Sequence, residues 1–521
     1  MPSSFHLIDW LIVGAYLLSM ALVGVYFSRR QTSLNQYLRA GQSMGWLPVG
    51  LSLMAALNSG MDYLMQPSST IKYGIVLVAG ITSWLALYPW VARIVFPFYH
   101  RLNFFTVYEY LEARFDVRVR TLAAVIFLLW RIGWMATAMY VPSLAVNAAT
   151  GGQVDLNTMT IIVGVLVTLY TMLGGIEAVI WNDVVQFCIM FGGLAATVAI
   201  VWTTVPGGWS EIWAVSAAAG KLDWSPALVD PAAAGLIAQV SSFFQQPMTL
   251  VTLLVALIVG RMAQYTSDQV MVQRLQTTRS LGDARAAFIV NAAGDALWMV
   301  GLSFVGFALL AYFQRVPLPP EFATDKLVPY FMSLAFPAGA VGLVIAAIMA
   351  ASLSSIDSAI NSCTSVAVVD LYGRAWRGAG PAGDDRALVR VSRIFTVFFG
   401  ALGTTLACNV GRIGTLLEIN AKVVNAFTGP LFGIFLLAMF SRRAGSGAAL
   451  AAGVAGALTA YYVAYHSAIG FMWPSTFGLA ATLVTGSAVA MLAPLAGTDA
   501  RRALTWRAVM NRTADARIES L

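Results

Sequence analysis

Long apolar runs separated by short, arginine-rich polar segments set the rhythm of this chain. A run of about 18 or more largely apolar residues is long enough to cross a hydrocarbon core as a helix. Thirteen such segments are predicted, at 6–28, 45–70, 74–99, 118–147, 157–177, 184–204, 241–272, 286–312, 328–368, 394–410, 415–440, 447–467 and 475–495. One of them carries a polar stripe. Within Ala346–Asp370, the residues Ala351, Ser354, Ser355, Asp357, Ser358 and Asn361 recur at helical spacing. A carboxylate in hydrocarbon is costly unless paired, so an intramembrane Asp among hydroxyls marks a functional site. A hard cation held by oxygens accounts for every member of the stripe.

Two other runs are interrupted in the middle. Leu57-Asn58-Ser59-Gly60-Met61-Asp62 and Gln66-Pro67 break the second segment, and Gly260-Arg261 with Tyr265-Thr266-Ser267-Asp268-Gln269 breaks the seventh. These breaks fall at corresponding positions of two five-helix halves, 45–204 and 241–440. Paired broken helices point to a substrate and ion site at the midplane of an inverted repeat, where unwound backbone offers its carbonyls. The expected architecture is an all-α polytopic membrane protein with a five-plus-five inverted-repeat core. Around the core lie an extra helix and loop (1–44), an external connector (205–240), two further helices (441–496) and a tail (497–521). Gly378–Asp385 reads as a flexible loop. Alternating Arg and apolar residues in the tail suggest a short amphipathic helix on the inner leaflet.

Composition sharpens this picture. Of 521 residues, 59% are hydrophobic and 11% charged, which excludes a soluble domain. With the N-terminus outside, the inner segments and their flanking helix ends hold 22 of the 31 Lys and Arg residues, against five in the external loops. The positive-inside rule therefore predicts N-out and C-in in a plasma (inner) membrane. The net charge of +7 follows from that topology and gives no reason to invoke nucleic acid. Asp9, and no Lys or Arg, stands at the head of the first apolar run and Arg29-Arg30 follow it, so a retained helix is expected and not a cleaved signal. Cys188, Cys363 and Cys408 lie within spans, and His6, His100 and His466 lack ligand spacing, so neither disulfides nor zinc are suggested.

Several motifs now identify a family. Leu169–Ala178 (LYTMLGGIEA), Trp181–Gln186 (WNDVVQ), Gln269–Arg274 (QVMVQR), Pro48–Ser52, Thr106–Glu112 and Gly429–Gly433 resemble the sodium/solute symporter family over nearly the whole chain. The likeness is nearest to the iodide, monocarboxylate and sialic-acid branches. It implies a sodium-coupled carrier working by alternating access, with Na⁺, one or two ions, as the coupling ion. By this resemblance a first sodium is held by the carbonyls of Ala55, Asn58 and Ala351 and the hydroxyls of Ser354 and Ser355. Five neutral oxygens suit a weakly held monovalent ion, whereas Mg²⁺ and Ca²⁺ sites recruit carboxylates. A second sodium is implied at Asp183 with Ser354 and Ser358. Here the chain departs from the family by placing Asp357 where a serine is used, which either strengthens that site or leaves a neutral, protonated acid.

For the solute, alignment within the family places Asp62, Arg261, Gln264 and Lys422 in the cavity, and Tyr265, an aromatic within the second interruption, is expected to stack on that solute. Arg131 falls about one helical turn from a carboxylate-binding arginine of the sialic-acid carriers. Three cations against Asp62 leave excess positive charge, which an incoming carboxylate relieves through charge-assisted bonds. A carboxylate-bearing solute is thus expected: a monocarboxylate, sugar acid or sialic-acid-like molecule. If the charges neutralise one another, the solute is a neutral sugar or polyol. Asp183 and Asp357 are open to the same bland reading as structural ion pairs, and the serines as helix-packing groups. Trp84, Trp90, Trp134 and Tyr140 read as packing or interfacial aromatics. A channel would show rings of charge along a pore, and a nutrient sensor remains as a further alternative. No nucleophile–base pair suggests an enzyme. The partners expected are a small solute and the bilayer, with the monomer as the functional unit and oligomers left open.

Overall fold

Among the described residues the chain is helical along most of each apolar run, although 241–272 is also interrupted at 246–249 and 328–368 is divided by a non-helical turn at 336–339. The computed structural model describes all residues except 1–4, 29–32, 103, 225–226, 319–321, 323–325, 375–384, 412–425, 493–498 and 512–521. Among the described residues the regular structure is all helical, apart from one isolated bridge between Met44 and Thr278. Ten helical runs are long and apolar enough to cross a membrane, and Trp46–Leu57 and Thr428–Phe440 are shorter apolar helices. The run Gly60–Leu102 turns at Gly74 and Leu156–Thr204 at Gly175, both glycines with positive φ. Dividing the two runs there, joining Trp46–Leu57 to Gly60–Tyr73 and counting Thr428–Phe440 gives thirteen spans among the described residues.

The boundary at 178–183 needs correcting. Those residues were expected as a cytoplasmic loop, yet the turn is made upstream at Gly175 (φ 59°, ψ −164°) and 178–183 are helical. Only glycine adopts that conformation without strain. Asn182 and Asp183 consequently sit in a span, fully buried.

Both expected interruptions are present. The first lies between Trp46–Leu57 and Gly60–Tyr73, the second between Leu250–Ser267 and Gln269–Gln276. The polar-striped helix Ala340–Val366 is the most enclosed of the long helices and packs against Leu156–Thr204, Val117–Ala149 and Leu7–Ser28. The helices Leu7–Ser28 and Pro474–Leu492 bury far less and present apolar side chains such as Leu18, Leu22 and Val484 outward. In a bilayer those side chains meet lipid and carry no penalty.

The extra first helix also grips the central one. Asp9 accepts hydrogen bonds from the backbone N–H groups of Gly339 (2.9 Å) and Gly342 (2.6 Å), capping the start of the striped helix. The tail departs from expectation. Leu504 and Val509 are buried against the protein, Trp506 donates to the Ile94 carbonyl, and Arg101 holds the carbonyls of Val509 and Met510. Its apolar residues therefore cover protein and not lipid.

Candidate functional site

The first break is built by a diverted hydrogen bond. In a continuous helix the Ser59 N–H would bond the Ala55 carbonyl, four residues back. Instead it donates to the Asp62 carboxylate at 2.6 Å, while the Ser59 hydroxyl accepts from the Met61 N–H, forming a capping box for the second half-helix. Asn58 is extended (φ −97°, ψ 143°), so the carbonyls of Ala55 and Asn58 leave the helical ladder.

Those carbonyls turn toward the striped helix. The Ser354 hydroxyl donates to the Ala55 carbonyl at 2.8 Å and to that of Ala351 at 2.9 Å. The Ser355 hydroxyl reaches the Asn58 carbonyl at 3.0 Å, with Ala56 and Ala351 each at 3.4 Å. All five oxygens expected for the first sodium thus lie in one buried cluster. None is charged, a donor set that fits a monovalent hard cation. Close approach of the two elements depends on Gly60, where a Cβ would stand 2.7 Å from the Ile348 carbonyl and collide with the Ser352 hydroxyl. That hydroxyl, unremarked in the sequence, is buried beside the cluster and has no hydrogen-bond partner among the described residues.

Ser354 and Ser358 lead to the second cluster. Ser358 donates to the Ser354 carbonyl and stands 3.2 Å from one Asp357 oxygen, whose other oxygen accepts from Tyr170 at 2.9 Å. Between Ser358 and Asp183 lies the guanidinium of Arg274. It bonds Ser358, the Ser52 hydroxyl (2.8 Å) and Asp183 (3.0 Å), and Ser52 adds a 2.5 Å bond to Asp183. The four residues expected for a second sodium are together, then, with a fixed cation among them. Arg274 entered the sequence reading only as the end of a motif. The guanidinium pairs directly with Asp183 and lies within electrostatic reach of Asp357, and Asp183 Oδ1 has no partner among the described residues.

Around the second break the charges are differently arranged from the expectation. Arg261 is paired with Asp295 at 2.6 Å, donates to Ser83 at 2.6 Å and lies 4.2 Å from the Trp84 ring, whose N–H also bonds Asp295 at 2.7 Å. Arg131 is paired with Asp268 and stacked 4.3 Å from Trp130. The premise of excess positive charge is therefore corrected: Arg131 and Arg261, the two described arginines of the expected cavity, each have a carboxylate of their own. Asp268 had been read only as a helix breaker, and it does cap the Val270 N–H at 3.0 Å. Asp295 was missed, although a lone acid in the apolar run 286–312 is the same signal that singled out Asp357.

The remaining solute candidates are placed as follows. Tyr265 is fully buried, bonded by Asn291 and edge-on to Trp84. Gln264 and Asp62 are half-buried, and Asp62 lies within electrostatic reach of Asp295. Trp84, read as a packing aromatic, instead forms part of the Arg261 cluster. Lys422 lies outside the described residues.

Comparison with known proteins identifies the family. The sequence model of the sodium:solute symporter family matches residues 37–456. A sodium/sialic acid symporter of Proteus mirabilis is 30% identical over 94% of this chain and 96% of its own length. A sodium-dependent multivitamin transporter of Oryctolagus cuniculus is 31% identical over 94% of this chain and 74% of its own. The substrate-bound, outward-open state of a Na⁺-coupled sialic acid symporter superposes with a TM-score of 0.84 at 29% identity, covering 95% of this chain and all of that one. The protein belongs to the sodium:solute symporter family, with Na⁺ as its coupling ion.

Proposed function

We propose that the protein imports a small carboxylate-bearing solute together with Na⁺ by alternating access. The observation that carries the coupling is the convergence of Ala55, Asn58, Ala351, Ser354 and Ser355 at the first break. Sodium held there clamps the broken helix to the striped helix, in place of hydroxyl-to-carbonyl bonds that water competes with when the site opens. The relatives named for sialic acid support the carboxylate. Because Arg131 and Arg261 are already paired, the solute's carboxylate exchanges with Asp268 or Asp295 and does not fill an empty cationic pocket. Such exchange gains little net energy, and specificity then rests on the hydroxyls, indoles and amides around it. Asp183, Ser354, Asp357 and Ser358 are proposed as a second sodium site, because their two carboxylates exceed the Arg274 charge by one.

A neutral sugar or polyol is the second reading, favoured by the pairing of both arginines. Sodium-driven tracer uptake into proteoliposomes, competed by monocarboxylates, sugar acids and sialic acids against neutral sugars, separates the two. Uptake that proceeds equally without sodium would sink both. Each net charge carried inward gains about 2.3 kcal/mol per 100 mV. One sodium with a monovalent anion is therefore silent in current recordings and two are not. The same vesicles test orientation, with N-out and C-in expected in the plasma (inner) membrane.

A further inference from the structure

A second cavity lies away from both ion clusters, on the arginine-rich face that the positive-inside rule assigns to the cytoplasm. It has a volume of about 140 Å³ and runs from Tyr265 outward between three parts of the fold. One wall is Val95, Phe96, Tyr99 and His100, another is Leu275 and Gln276 continuing to Leu281 and Ala284, and the rim is Arg39, Gln42 and Arg279. The floor is apolar and the rim basic. No carboxylate is among the described residues that line it, unlike the Arg131, Arg261 and Arg274 clusters.

The rim is built for a ligand that accepts hydrogen bonds. Arg39 is 5% exposed, donates from one terminal nitrogen to the Phe104 carbonyl at 2.8 Å and lies 4.8 Å from the Phe105 ring, yet its Nε–H has no hydrogen-bond partner among the described residues. Burial lowers the Arg39 pKa, and Glu109, which does not line the cavity, offsets that only in part. Arg279 is exposed and, among the described residues, holds only the Ser43 carbonyl, at 2.7 Å. The backbone here is strained as well. Ala40 (φ 49°) and Gln42 (φ 57°) are the two non-glycine residues with positive φ among those described, and they flank Gly41 (φ 59°) on this rim. Strain of that kind persists where surrounding structure holds it, most often at ligand clamps and switches.

We propose that this cavity binds the phosphate headgroup of an anionic phospholipid of the cytoplasmic leaflet. The two walls belong to elements that also carry exposed apolar Leu85 and Ile289, so hydrocarbon lies against the same helices. An amphiphile satisfies both halves of the cavity, with phosphate oxygens at Arg39 and Arg279 and glycerol and upper chain carbons over Phe96, Leu275 and Ala284. Basic pockets between helices at this depth select anionic headgroups. The site also touches transport. Leu275 and Gln276 belong to the inner half of the second broken helix and Tyr265 to its outer half, so a bound headgroup ties that helix to the neighbouring wall.

The test uses the full-length protein in mixed phosphatidylglycerol and phosphatidylcholine nanodiscs, followed by native mass spectrometry of the lipids that stay bound. Wild type is expected to retain phosphatidylglycerol over phosphatidylcholine. Arg279→Gln is expected to reduce that preference about fivefold, the equivalent of roughly 1 kcal/mol per surface arginine. Arg39→Gln reports the buried partner and His100→Gln serves if it fails to fold. Millimolar inorganic phosphate should leave the bound lipid in place. Retention equal to wild type in Arg279→Gln and in either second variant overturns the proposal, as does displacement by inorganic phosphate alone, which would assign the cavity to a soluble anion. Sodium-dependent uptake is not needed for this readout, so its failure and a failure of the symport reading are distinguishable.

Discussion

Replacing Ser355 by alanine removes one of the five oxygens at the first break while leaving the backbone carbonyls in place. Its hydroxyl now bonds the Asn58 carbonyl at 3.0 Å in a buried cluster. Two readings of that hydroxyl differ in size. As a sodium ligand it acts on a charge, and contacts of a polar group with a charged one are worth about 1.5–3 kcal/mol. At 1.4 kcal/mol per factor of ten, sodium binding weakens roughly ten- to hundredfold. As a packing hydroxyl between membrane helices it is worth about 0.6 kcal/mol, which lowers stability with no effect on sodium affinity.

Thermal unfolding in detergent as a function of Na⁺ measures this without knowledge of the solute. A ligand that binds only the folded state stabilises it by RT ln(1 + [L]/Kd), so the sodium concentration at which the melting temperature begins to rise reports Kd. Ser355→Ala and Ser354→Ala should each move that onset upward by at least tenfold, and Ser355→Thr should recover most of it. If both alanine variants respond to sodium within threefold of wild type, the oxygens at this break do not hold the coupling ion.

Four other outcomes follow from the same geometry. Asp62→Ala returns the Ser59 N–H to the Ala55 carbonyl, so it should weaken sodium-dependent stabilisation as well as solute affinity, with loss of the cap alone costing about 0.5–2 kcal/mol. Gly60→Ala forces a methyl against Ile348 and Ser352; overpacking of this kind costs about 1–3 kcal/mol, and sodium should no longer raise the melting temperature. Asp295→Asn leaves Arg261 buried without its carboxylate, a loss of about 3–5 kcal/mol that a monocarboxylate in the buffer should partly restore and a neutral sugar should not. Arg120→Ala orphans Asp370, which Arg120 pairs at 2.6 Å near the C-terminal end of the run Ala340–Tyr372; the melting temperature should fall by a similar energy while the sodium onset stays at the wild-type value.

What the sequence made legible was periodic or local. Apolar length located the spans, and the breaks were visible because Asn58, Ser59, Gly60 and Asp62 are poor companions for hydrocarbon within a few residues of one another. The five-oxygen cluster was reachable from the family motif, and the structure supplies its local cause in the Ser59 to Asp62 bond. Pairings over long sequence separations were not legible. Arg261 with Asp295, Arg131 with Asp268 and Arg274 with Asp183 each join different helices, and nothing within a window of one helix says which acid a buried arginine will meet. The turn at Gly175 was misplaced for the opposite reason. Glu177 and Asp183 look like loop residues by polarity, and their burial depends on partners such as Gln36 and Arg274 that only the fold brings near.

Those long-range pairs bear on how ion and solute are coupled. Asp62 holds the first break open by taking the Ser59 N–H, and it is also near Asp295, the partner of Arg261. A solute carboxylate that draws Arg261 away from Asp295 adds a negative charge beside Asp62 and its neighbour. A cation a few ångströms away in the freed carbonyls offsets that charge, and the attraction between them is large in a medium poorer in water than bulk. Binding of either partner therefore favours binding of the other, by the same factor in both directions, as linkage requires. A neutral solute makes no such demand and would have to couple through shape alone, by closing the second broken helix over Tyr265. Reciprocal affinity changes for sodium and solute that survive Asp295→Asn would place the coupling in that closure and not in the charges.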